Sequence, residues 1–326
     1  MKKICVTGAY GFIGKSICET LVLNDKTVIG LVRNLELSKN FNKVTYVPVG
    51  DIGLKTNLKD ALVGTDCVIH CAGKIPHTKR IENDQIKAYH LANVEVTKQI
   101  AKQVVDAGAK RLIFLSSIKV NGENTHDNYD VTGKNYRIKK IFSHTDIASP
   151  EDLYATSKLE AEKALWEVSS RAGLEVVVMR LPLVYGYGVK GNLAKLIKLV
   201  KSGIPLPLSL VKNQRSMIGM DNLVDLLTRC IDHPEASGKT FLASDGEDLS
   251  TPELIKLIAS SMRKNANLFP FPISMLKFLG SVFDKSDEIN RLVGSLRVDD
   301  SYTKKILNWT PPISVEEGIR RMVQRK

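Results

Sequence analysis

Short apolar runs rich in Val, Ile and Leu alternate with helical patterns of apolar residues through the first half of the chain. The runs are not interrupted by polar residues at every second position, which is typical of parallel strands covered on both faces. The predicted strands are Ile4 to Thr7, Thr27 to Val32, Val44 to Val47, Cys67 to Cys71, Arg111 to Ser116 and Glu175 to Arg180. The predicted helices are Phe12 to Leu23, Asn57 to Val63, Asn93 to Ala107 and Tyr154 to Arg171. This alternation predicts an α/β fold with a doubly wound parallel sheet.

The pattern changes after Pro182, where short helices and proline-rich loops replace the alternation. A chain of 326 residues has room for about two domains. We therefore expect the sheet domain to occupy mainly residues 1–182, with later segments able to return to it, and a smaller C-terminal lobe to occupy residues 183–326. A loop-rich stretch runs from Asn121 to Pro150.

The composition is that of an ordinary globular protein, with 43% hydrophobic and 25% charged residues. The longest stretch without a charged residue, Asn265 to Leu276, has twelve residues, whereas a membrane-spanning helix needs about 20 apolar residues. The apolar residues after Lys2 and Lys3 lead into glycines and not into a cleavage site. We expect neither a membrane span nor a secretory signal, and we expect a cytoplasmic protein.

Five cysteines, an odd number, lie mostly in apolar segments. This usage favours reduced, buried thiols over a disulfide framework. Cys67 and Cys71 have a spacing that matches no zinc signature, so we expect no metal site.

The formal net charge of +12 is compatible with nucleic acid, an anionic membrane surface or small anionic substrates. Lys and Arg are dispersed along the chain, with clusters only at Lys134 to Lys140 and Arg320 to Lys326. Dispersed charge is typical of a solvated surface, so we expect no nucleic-acid partner. The apolar segment Leu268 to Phe283 is interpreted as buried core of the small lobe or a dimer surface, with a weak peripheral membrane contact as the alternative.

A glycine-rich loop, Thr7 to Gly14, follows the first predicted strand directly and opens into a helix. Gly8 permits a tight turn, Gly11 lets the backbone approach a pyrophosphate, and Gly14 allows the helix to pack closely on the strand. The helix N-terminus presents unpaired amides to an anion. At this position the motif predicts a dinucleotide-binding site, since further strand and helix units follow it.

The end of the second predicted strand carries Arg33 and no carboxylate nearby. A carboxylate is expected there when the cofactor ribose has a free 2′-hydroxyl. A guanidinium instead suits a 2′-phosphate. This favours NADP over NAD, with a solvated surface arginine as the alternative interpretation.

Tyr154 and Lys158 are four residues apart at the start of a predicted helix, so they share one face. A neighbouring ammonium stabilises the phenolate of a tyrosine, which lets the phenol act as a general acid or base. Ser116 and Ser117 end the predicted strand before that helix, at the sheet edge where ligands of open α/β folds bind. A serine hydroxyl there can bind a substrate oxygen.

These motifs together resemble the extended short-chain dehydrogenase/reductases, the group of sugar-nucleotide epimerases, dehydratases and reductases with a Rossmann fold. The resemblance covers nearly the whole chain. It rests on Thr7 to Gly14, Gly50 to Ile52, Ile69 to Gly73, Asn93, Phe114 to Val120, Tyr154 to Lys158, Arg180 to Gly186, Arg215 to Ile218 with Asp221 to Leu223, and Leu307 to Pro311.

The resemblance implies roles for individual residues. Ser117, Tyr154 and Lys158 would be catalytic, with motif register favouring Ser117 over Ser116. The cofactor would be bound by Gly8, Gly11, Phe12, Ile13, Gly14, Arg33, Asp51, Ile52, Ala72, Gly73, Asn93, Ser116, Tyr154, Lys158 and Pro182. A nucleotide sugar would be bound by Ser117, Asn192 and Arg215, the last through its diphosphate, which suits an arginine fork.

Two departures from the family pattern bear on the function. Asn121 stands where relatives often have a tyrosine, and the segment from Ser117 to Tyr154, which includes Lys134 to Lys140, is longer than in many relatives. A solvated loop is favoured there over a mobile lid. Ile118 and Lys119 stand where the family's dehydratases have an acidic pair, which disfavours a dehydratase.

The main hypothesis is a reductase, in which NADPH reduces a 4-keto sugar nucleotide for surface-polysaccharide synthesis while Tyr154 protonates the new alkoxide. The alternative is a 4-epimerase of a UDP-sugar such as UDP-glucose or UDP-N-acetylglucosamine, with a retained NAD. A remote alternative is a dinucleotide-sensing protein without catalysis. Similar proteins are often homodimers, which makes a homodimer an additional expectation.

Overall fold

A computed structural model describes residues 2–35, 43–73, 83–125 and 141–324. Its centre is a seven-stranded sheet with the strand order β3-β2-β1-β4-β5-β6-β9, in which every neighbouring pair is parallel. The strands are β1 (Lys3–Thr7), β2 (Thr27–Val32), β3 (Thr45–Pro48), β4 (Cys67–His70), β5 (Arg111–Ser117), β6 (Glu175–Leu181) and β9 (Lys239–Leu242). The predicted doubly wound α/β fold is confirmed.

Twelve α-helices lie in the described part of the chain. They are α1 (Phe12–Leu23), α2 (Lys59–Leu62), α3 (Asn83–Tyr89), α4 (Val96–Asp106), α5 (Leu153–Ala172), α6 (Gly191–Ser202), α7 (Met220–Asp232), α8 (Thr251–Ser261), α9 (Ile273–Val282), α10 (Ser286–Val293), α11 (Ser301–Leu307) and α12 (Val315–Gln324). Helices α1, α7 and α11 pack on one face of the sheet, and α2, α4 and α5 pack on the other. Strands covered on both sides are apolar throughout because neither face meets water.

A smaller lobe follows β6. It contains a second, two-stranded parallel sheet of β7 (Leu183–Tyr185) and β8 (Met217–Gly219), and its own core is shared by α6, α8 and α12. The chain returns to the large sheet at α7, β9 and α11, so the two parts of the molecule are connected several times.

The largest difference from the predicted elements concerns the long helix Asn93 to Ala107. The structure has α3, then a π-helix at His90–Glu95, and then α4. The apolar periodicity of residues 93–107 follows α4 correctly, but a periodicity of 3.6 residues does not reveal a locally wider turn. The helix predicted at Asn57 to Val63 is only the four residues of α2.

Four of the five cysteines are buried, Cys71 is half-buried, and all five are free thiols. Among the described residues no helix has the length and apolar composition needed to cross a bilayer. The segment Lys134 to Lys140 lies outside the described residues.

The apolar segment Leu268 to Phe283 is not core throughout. Leu276 and Gly280 are buried in the small lobe, but Phe278 and Phe283 are 65% and 68% exposed. The interpretation as buried core therefore holds for the inner side of α9 and not for its outer side, because a short helix at the edge of a lobe buries only one of its faces. The alternatives of a dimer surface and a membrane contact concern this outer side.

Candidate active site

The glycine turn after β1 is closely packed on its neighbours. Gly8 has a φ of +64°, and a Cβ there would lie 2.9 Å from the amide nitrogen of Ala72. A Cβ on Gly14 would lie 2.2 Å from the carbonyl oxygen of Gly8. Side chains at either position would force α1 and the residues after β4 away from the turn, so glycine is required for this approach.

The N-terminus of α1 is open to a ligand. Gly11 is the N-cap and supplies no side-chain cap, and the first turn, which begins with Phe12 and Ile13, contains no acidic residue. The first-turn amides and the positive end of the helix dipole are therefore available to an anion such as a pyrophosphate. This geometry fits the cofactor that the glycine spacing predicts.

The end of β2 carries an ion pair that was not predicted. Arg33 Nε lies 2.8 Å from Asp51 Oδ1. Both side chains are largely in solvent, with 79% of Arg33 and 85% of Asp51 exposed. The expectation that no carboxylate lies near this strand end was wrong. Asp51 is distant in sequence, but it follows β3, which pairs with β2. Ile52, the other residue expected at the adenine, is half-buried beside it.

The two serines at the end of β5 face opposite sides, as neighbouring residues in a strand do. Ser116 is buried and its hydroxyl donates to Glu162 Oε1. Ser117 is half-buried at the carboxyl end of the strand and its Oγ accepts from the Lys119 amide at 3.3 Å. The hydroxyl of Ser117 is therefore the one at the open edge, whereas that of Ser116 is directed into the protein.

Helix α5 begins where it can present Tyr154. Asp152 is its N-cap, with Oδ1 accepting from the Ala155 amide at 2.6 Å, and Lys119 Nζ donates to Asp152 Oδ2 at 2.7 Å. This ties the first turn of the helix to the residues that follow β5.

Lys158 is buried one turn further on. Its Nζ donates to the Leu115 carbonyl oxygen at 2.9 Å and lies 4.5 Å from the centroid of the Phe114 ring and 6.0 Å from that of Tyr154. Burial lowers the pKa of Lys158 to about 8, against the opposing effects of Cys71 and Glu162. The ammonium is held between β5 and the start of α5.

The phenol of Tyr154 is half-buried. Burial, followed by the charges of Asp152 and Tyr89, raises its pKa to about 12. The expected stabilisation of the phenolate by Lys158 alone does not outweigh these effects, because the ammonium lies at 6.0 Å from the ring centroid and is directed at a backbone carbonyl. Tyr154 is therefore a protonated acid at neutral pH until a further positive charge approaches it.

Asn93 and Gly73 complete the surroundings of Lys158. Asn93, in the π-helix, donates from Nδ2 to Ser157 Oγ at 2.9 Å, and Ser157 Oγ donates to the Tyr154 carbonyl oxygen at 2.8 Å. A Cβ on Gly73 would lie 3.3 Å from Asn93 Oδ1 and 3.4 Å from Lys158 Nζ. The absence of a side chain at Gly73 keeps the approach to both polar atoms open.

A buried ion pair behind Ser116 was missed in the sequence. Arg180 Nη2 donates to Glu162 Oε2 at 2.7 Å and Nε donates to Oε1 at 3.1 Å, while Nη1 donates to Asn121 Oδ1 at 3.0 Å. Glu162 is 2% exposed. A signal was present, because Glu162 follows Tyr154 and Lys158 at the same spacing of four along one helix face.

A second buried polar contact connects β1, β4 and α4. His70 Nδ1 lies 2.7 Å from Thr7 Oγ1, and its Nε2 lies 3.0 Å from Thr97 Oγ1. Thr7 Oγ1 also accepts from the Ala72 amide at 3.2 Å. Burial, and then the Lys158 charge, lowers the pKa of His70 to about 3, so this imidazole is neutral and structural.

The remaining candidates lie along the same cleft or in the small lobe. Pro182 is buried between β6 and β7, and Asn192 is exposed in the first turn of α6. Arg215 is half-buried, and its Nη1 donates to the carbonyl oxygens of Arg291 and Gly294 at 3.1 Å each. Burial and the nearby charge of Arg291 lower its pKa.

The structure thus gathers Ser117, Tyr154, Lys158, Asn93 and Gly73 at the carboxyl end of the sheet, beside the glycine turn. Dinucleotide-dependent exchange of a proton and a hydride requires a proton donor, a nearby positive charge and a site for the dinucleotide phosphates. The phenol of Tyr154, the ammonium of Lys158 and the open N-terminus of α1 could supply these three parts.

Comparison with known proteins gives the same class. The family model "NAD dependent epimerase/dehydratase family" matches residues 4–243. A UDP-glucose 4-epimerase of Vibrio cholerae is 40% identical over 325 residues, which is 99% of this chain and 95% of that protein. The N-acetyl-alpha-D-glucosaminyl-diphospho-ditrans,octacis-undecaprenol 4-epimerase of Escherichia coli O157:H7 is 24% identical, with 98% and 94% of the two chains covered.

Among solved structures, UDP-glucuronic acid 4-epimerase from Bacillus cereus in complex with NAD superimposes with a TM-score of 0.76, covering 98% of this chain and 97% of that one. The two chains are 20% identical, and the superposition supports a shared fold. The family model and the Vibrio cholerae relative confirm the resemblance found in the motifs. The chain belongs to the NAD dependent epimerase/dehydratase family.

Proposed function

We propose that this enzyme is a UDP-sugar 4-epimerase that retains NAD and uses Tyr154, Lys158 and Ser117 for proton transfer. The observation that carries the choice between epimerase and reductase is the ion pair of Arg33 with Asp51. The identity of 40% to a UDP-glucose 4-epimerase favours the same choice.

The ion pair changes the argument for NADP. A guanidinium free of carboxylates would attract a 2′-phosphate, but Asp51 places a negative charge 2.8 Å from Arg33 Nε. That carboxylate repels a phosphate and can accept a hydrogen bond from a ribose hydroxyl. NAD is therefore the cofactor better suited to this end of the cleft.

The residues present fit NAD in three places. The glycine turn and the open first turn of α1 suit the pyrophosphate. Asp51 and Ile52 suit the adenosine, and Lys158 suits the nicotinamide ribose. A bound NAD supplies a reversible hydride acceptor for a sugar carbon, together with a positive ring charge.

The proton path runs through this chain's own side chains. Tyr154 takes the proton of the C4 hydroxyl as the C4–H hydride leaves, and Ser117 Oγ donates a hydrogen bond to the same oxygen. The product of this half is a 4-keto sugar. When the sugar presents its other face, Tyr154 returns the proton to the carbonyl oxygen as the hydride returns to C4, which inverts the carbon. Lys158, together with the positive nicotinamide ring that a bound NAD would bring, stabilises the phenolate before the first half and after the second; between the two halves Tyr154 is the neutral phenol.

The nucleotide part of the substrate would meet two guanidinium groups. Arg215 and Arg291 are close enough for Arg291 to lower the pKa of Arg215, and neither forms a salt bridge with a carboxylate in the described part of the chain. Two neighbouring cations that form no salt bridge suit a diphosphate with bidentate oxygens. Asn192 would contact the sugar or base from α6.

The test is whether the purified enzyme interconverts UDP-glucose and UDP-galactose, or their N-acetylated forms, without any added cofactor. We expect turnover together with NAD released from the denatured protein and identified by chromatography. The product sugar is measured after acid hydrolysis of the nucleotide.

Two outcomes would contradict the proposal. Absence of turnover until NADPH and a UDP-4-keto sugar are supplied would identify a reductase instead. Tight binding of NAD without turnover of any UDP-sugar would indicate a sensing protein. An Asp51→Asn variant serves as the matched control for cofactor choice, since it should move the preference towards NADP by about tenfold, as removal of one close charge does.

A further inference from the structure

The outer side of α9 is an apolar stripe that no other part of the described protein covers. Met275, Phe278, Leu279 and Val282 are 51%, 65%, 39% and 60% exposed, and Phe283 follows at 68%. Residues 275, 278, 279 and 282 have the spacing of one helix face. The opposite face, with Leu276 and Gly280, packs inward. The helix is therefore apolar on two sides, of which one faces solvent.

Two segments of the lobe that carries this stripe are strongly basic. Residues 189–220 and 254–283 contain ten Lys and Arg and no Asp or Glu, whereas the whole chain has 35 acidic residues among 326. Nine of the ten basic side chains are exposed, Arg215 being the half-buried one. None of the nine forms a salt bridge within the described residues. Within these two segments, no carboxylate offsets the positive charge.

The two segments lie side by side. Lys264 Nζ donates to the Lys201 carbonyl oxygen at 2.5 Å, and Asn267 Nδ2 donates to the Gly203 carbonyl oxygen at 2.7 Å. The Leu206 amide donates to the Asn267 carbonyl oxygen at 2.8 Å. The end of α6 therefore abuts the segment that leads into α9.

Further exposed apolar residues lie where these segments meet. Ile204 is 52% exposed, Leu199 is 41% exposed and Phe269 is 40% exposed. Helices that have aromatic and aliphatic side chains on one side and lysines beside them are typical of helices that lie in the interface of a bilayer. An uncompensated basic region is attracted to anionic headgroups.

We propose that the α9 face binds peripherally to a membrane surface containing anionic phospholipids. Phe278, Val282 and Phe283 enter the boundary between headgroups and acyl chains. Lysines of α6 and α9, including Lys198 and Lys277, contact lipid phosphates. The interaction is reversible, because a single short helix without a lipid chain buries little apolar surface.

A second copy of the chain is a poorer occupant of this face. A two-fold symmetric dimer would place the same patch on both subunits, so the acid-free basic region would face itself. Like charges across an interface are unfavourable, and no carboxylate in either segment could compensate them. An anionic bilayer supplies both the apolar layer and the missing negative charge.

The experiment is co-sedimentation of the full-length protein with vesicles of phosphatidylcholine alone or with roughly 30% phosphatidylglycerol, a fraction that makes the surface anionic. We expect binding to the anionic vesicles and much weaker binding to the neutral ones. Replacing Phe278 and Phe283 together by serine should reduce the partition coefficient at least tenfold. Lys198→Gln and Lys277→Gln should each reduce it by about fivefold, since a basic residue near such a surface contributes about 1 kcal/mol.

Matched controls replace equally exposed residues elsewhere. Leu23→Ser with Ile147→Ser removes two apolar side chains that are 71% and 91% exposed, and Lys59→Gln with Lys110→Gln removes two exposed charges. These variants should bind as the wild type does. Equal loss in the control variants, or equal binding to neutral and anionic vesicles, would overturn the proposal.

The mass in solution, measured by light scattering after size exclusion, distinguishes the other occupant. The wild type and the Phe278→Ser, Phe283→Ser variant should have the same mass. A smaller mass for the variant would show that a second copy covers α9 and would overturn the membrane assignment. The inference does not depend on the epimerase activity, because sedimentation is measured without substrate.

Discussion

Lys158 and Glu162 stand at the end of the cleft proposed for the nicotinamide, and Arg33 and Asp51 stand at the adenosine end. The first pair is buried on α5, where Glu162 is bound to Arg180 and Lys158 to a strand carbonyl. The second pair is bound only to itself, with both side chains more than three-quarters exposed. Both ends of the cleft therefore carry charges, but only the charges at the nicotinamide end are buried.

The difference in burial separates two properties of the enzyme. Charges in a dry environment interact strongly and depend on each other, so the residues for chemistry are difficult to change singly. Charges in water contribute little to stability and can be exchanged without affecting the fold. Cofactor choice can consequently vary at the exposed end while the proton-transfer end stays constant.

The largest expected effect comes from removing the acid itself at the buried end. Tyr154→Phe should lower kcat by about 10³-fold, because a positioned general acid or base contributes typically 10²- to 10⁴-fold. The free energy of unfolding should change little, since no hydrogen bond of the phenol oxygen holds the described structure together. Steady-state kinetics and urea denaturation measure the two quantities. Full turnover in the variant would remove Tyr154 from the mechanism.

The free energy of unfolding should distinguish the buried ion pair of Glu162 and Arg180 from the exposed ion pair of Arg33 and Asp51 most clearly. Glu162→Gln leaves Arg180 buried without its countercharge, and we expect a loss of about 3 kcal/mol or more in the free energy of unfolding. The matched Asp51→Asn change at the exposed pair should cost less than about 1 kcal/mol. Urea denaturation of both variants tests the contrast, which equal losses would contradict.

The smallest expected effect is a pH dependence at the buried end. The pKa of Lys158 is about 8 in the folded protein and 10.5 when it is free in solution. Between these values the unfolded chain binds the proton that the folded chain has released, so raising the pH favours folding. The wild type should gain up to about 1.4 kcal/mol per pH unit over Lys158→Met in this range. Denaturation at about pH 8, 9 and 10 measures the difference in slope, and parallel slopes would contradict the lowered pKa.

The sheet and the buried end of the cleft could be predicted to a large extent from the sequence. The strands, the parallel sheet and the helices on its faces follow from apolar runs and from the glycine turn, both of which are local patterns. Tyr154 and Lys158 could be paired because a helix brings residues four apart to one side. The same spacing of four places Glu162 on this side of the helix, so the sequence also contained a signal for the buried ion pair.

The exposed end was predicted less well because it is made by distant parts of the chain. Asp51 approaches Arg33 only because β3 pairs with β2, a fact about the sheet and not about either segment. The two basic segments were missed for a different reason. A search for runs of Lys and Arg finds no cluster there, since the unusual property of residues 189–220 and 254–283 is the lack of acidic residues, which becomes one surface only when α6 and α9 are brought together.

The π-helix at His90–Glu95 makes the position of Asn93 depend on how many residues the chain has there. Each residue advances a regular helix by about 100°, since one turn takes 3.6 residues. Deleting one residue from the wide turn would restore regular winding and rotate the side chains on one side of the deletion relative to the other. The amide of Asn93 would then leave Ser157 even if every remaining side chain were unchanged. In this segment substitutions should be tolerated more readily than insertions or deletions. Related enzymes should therefore differ more in the residues of the segment than in its length.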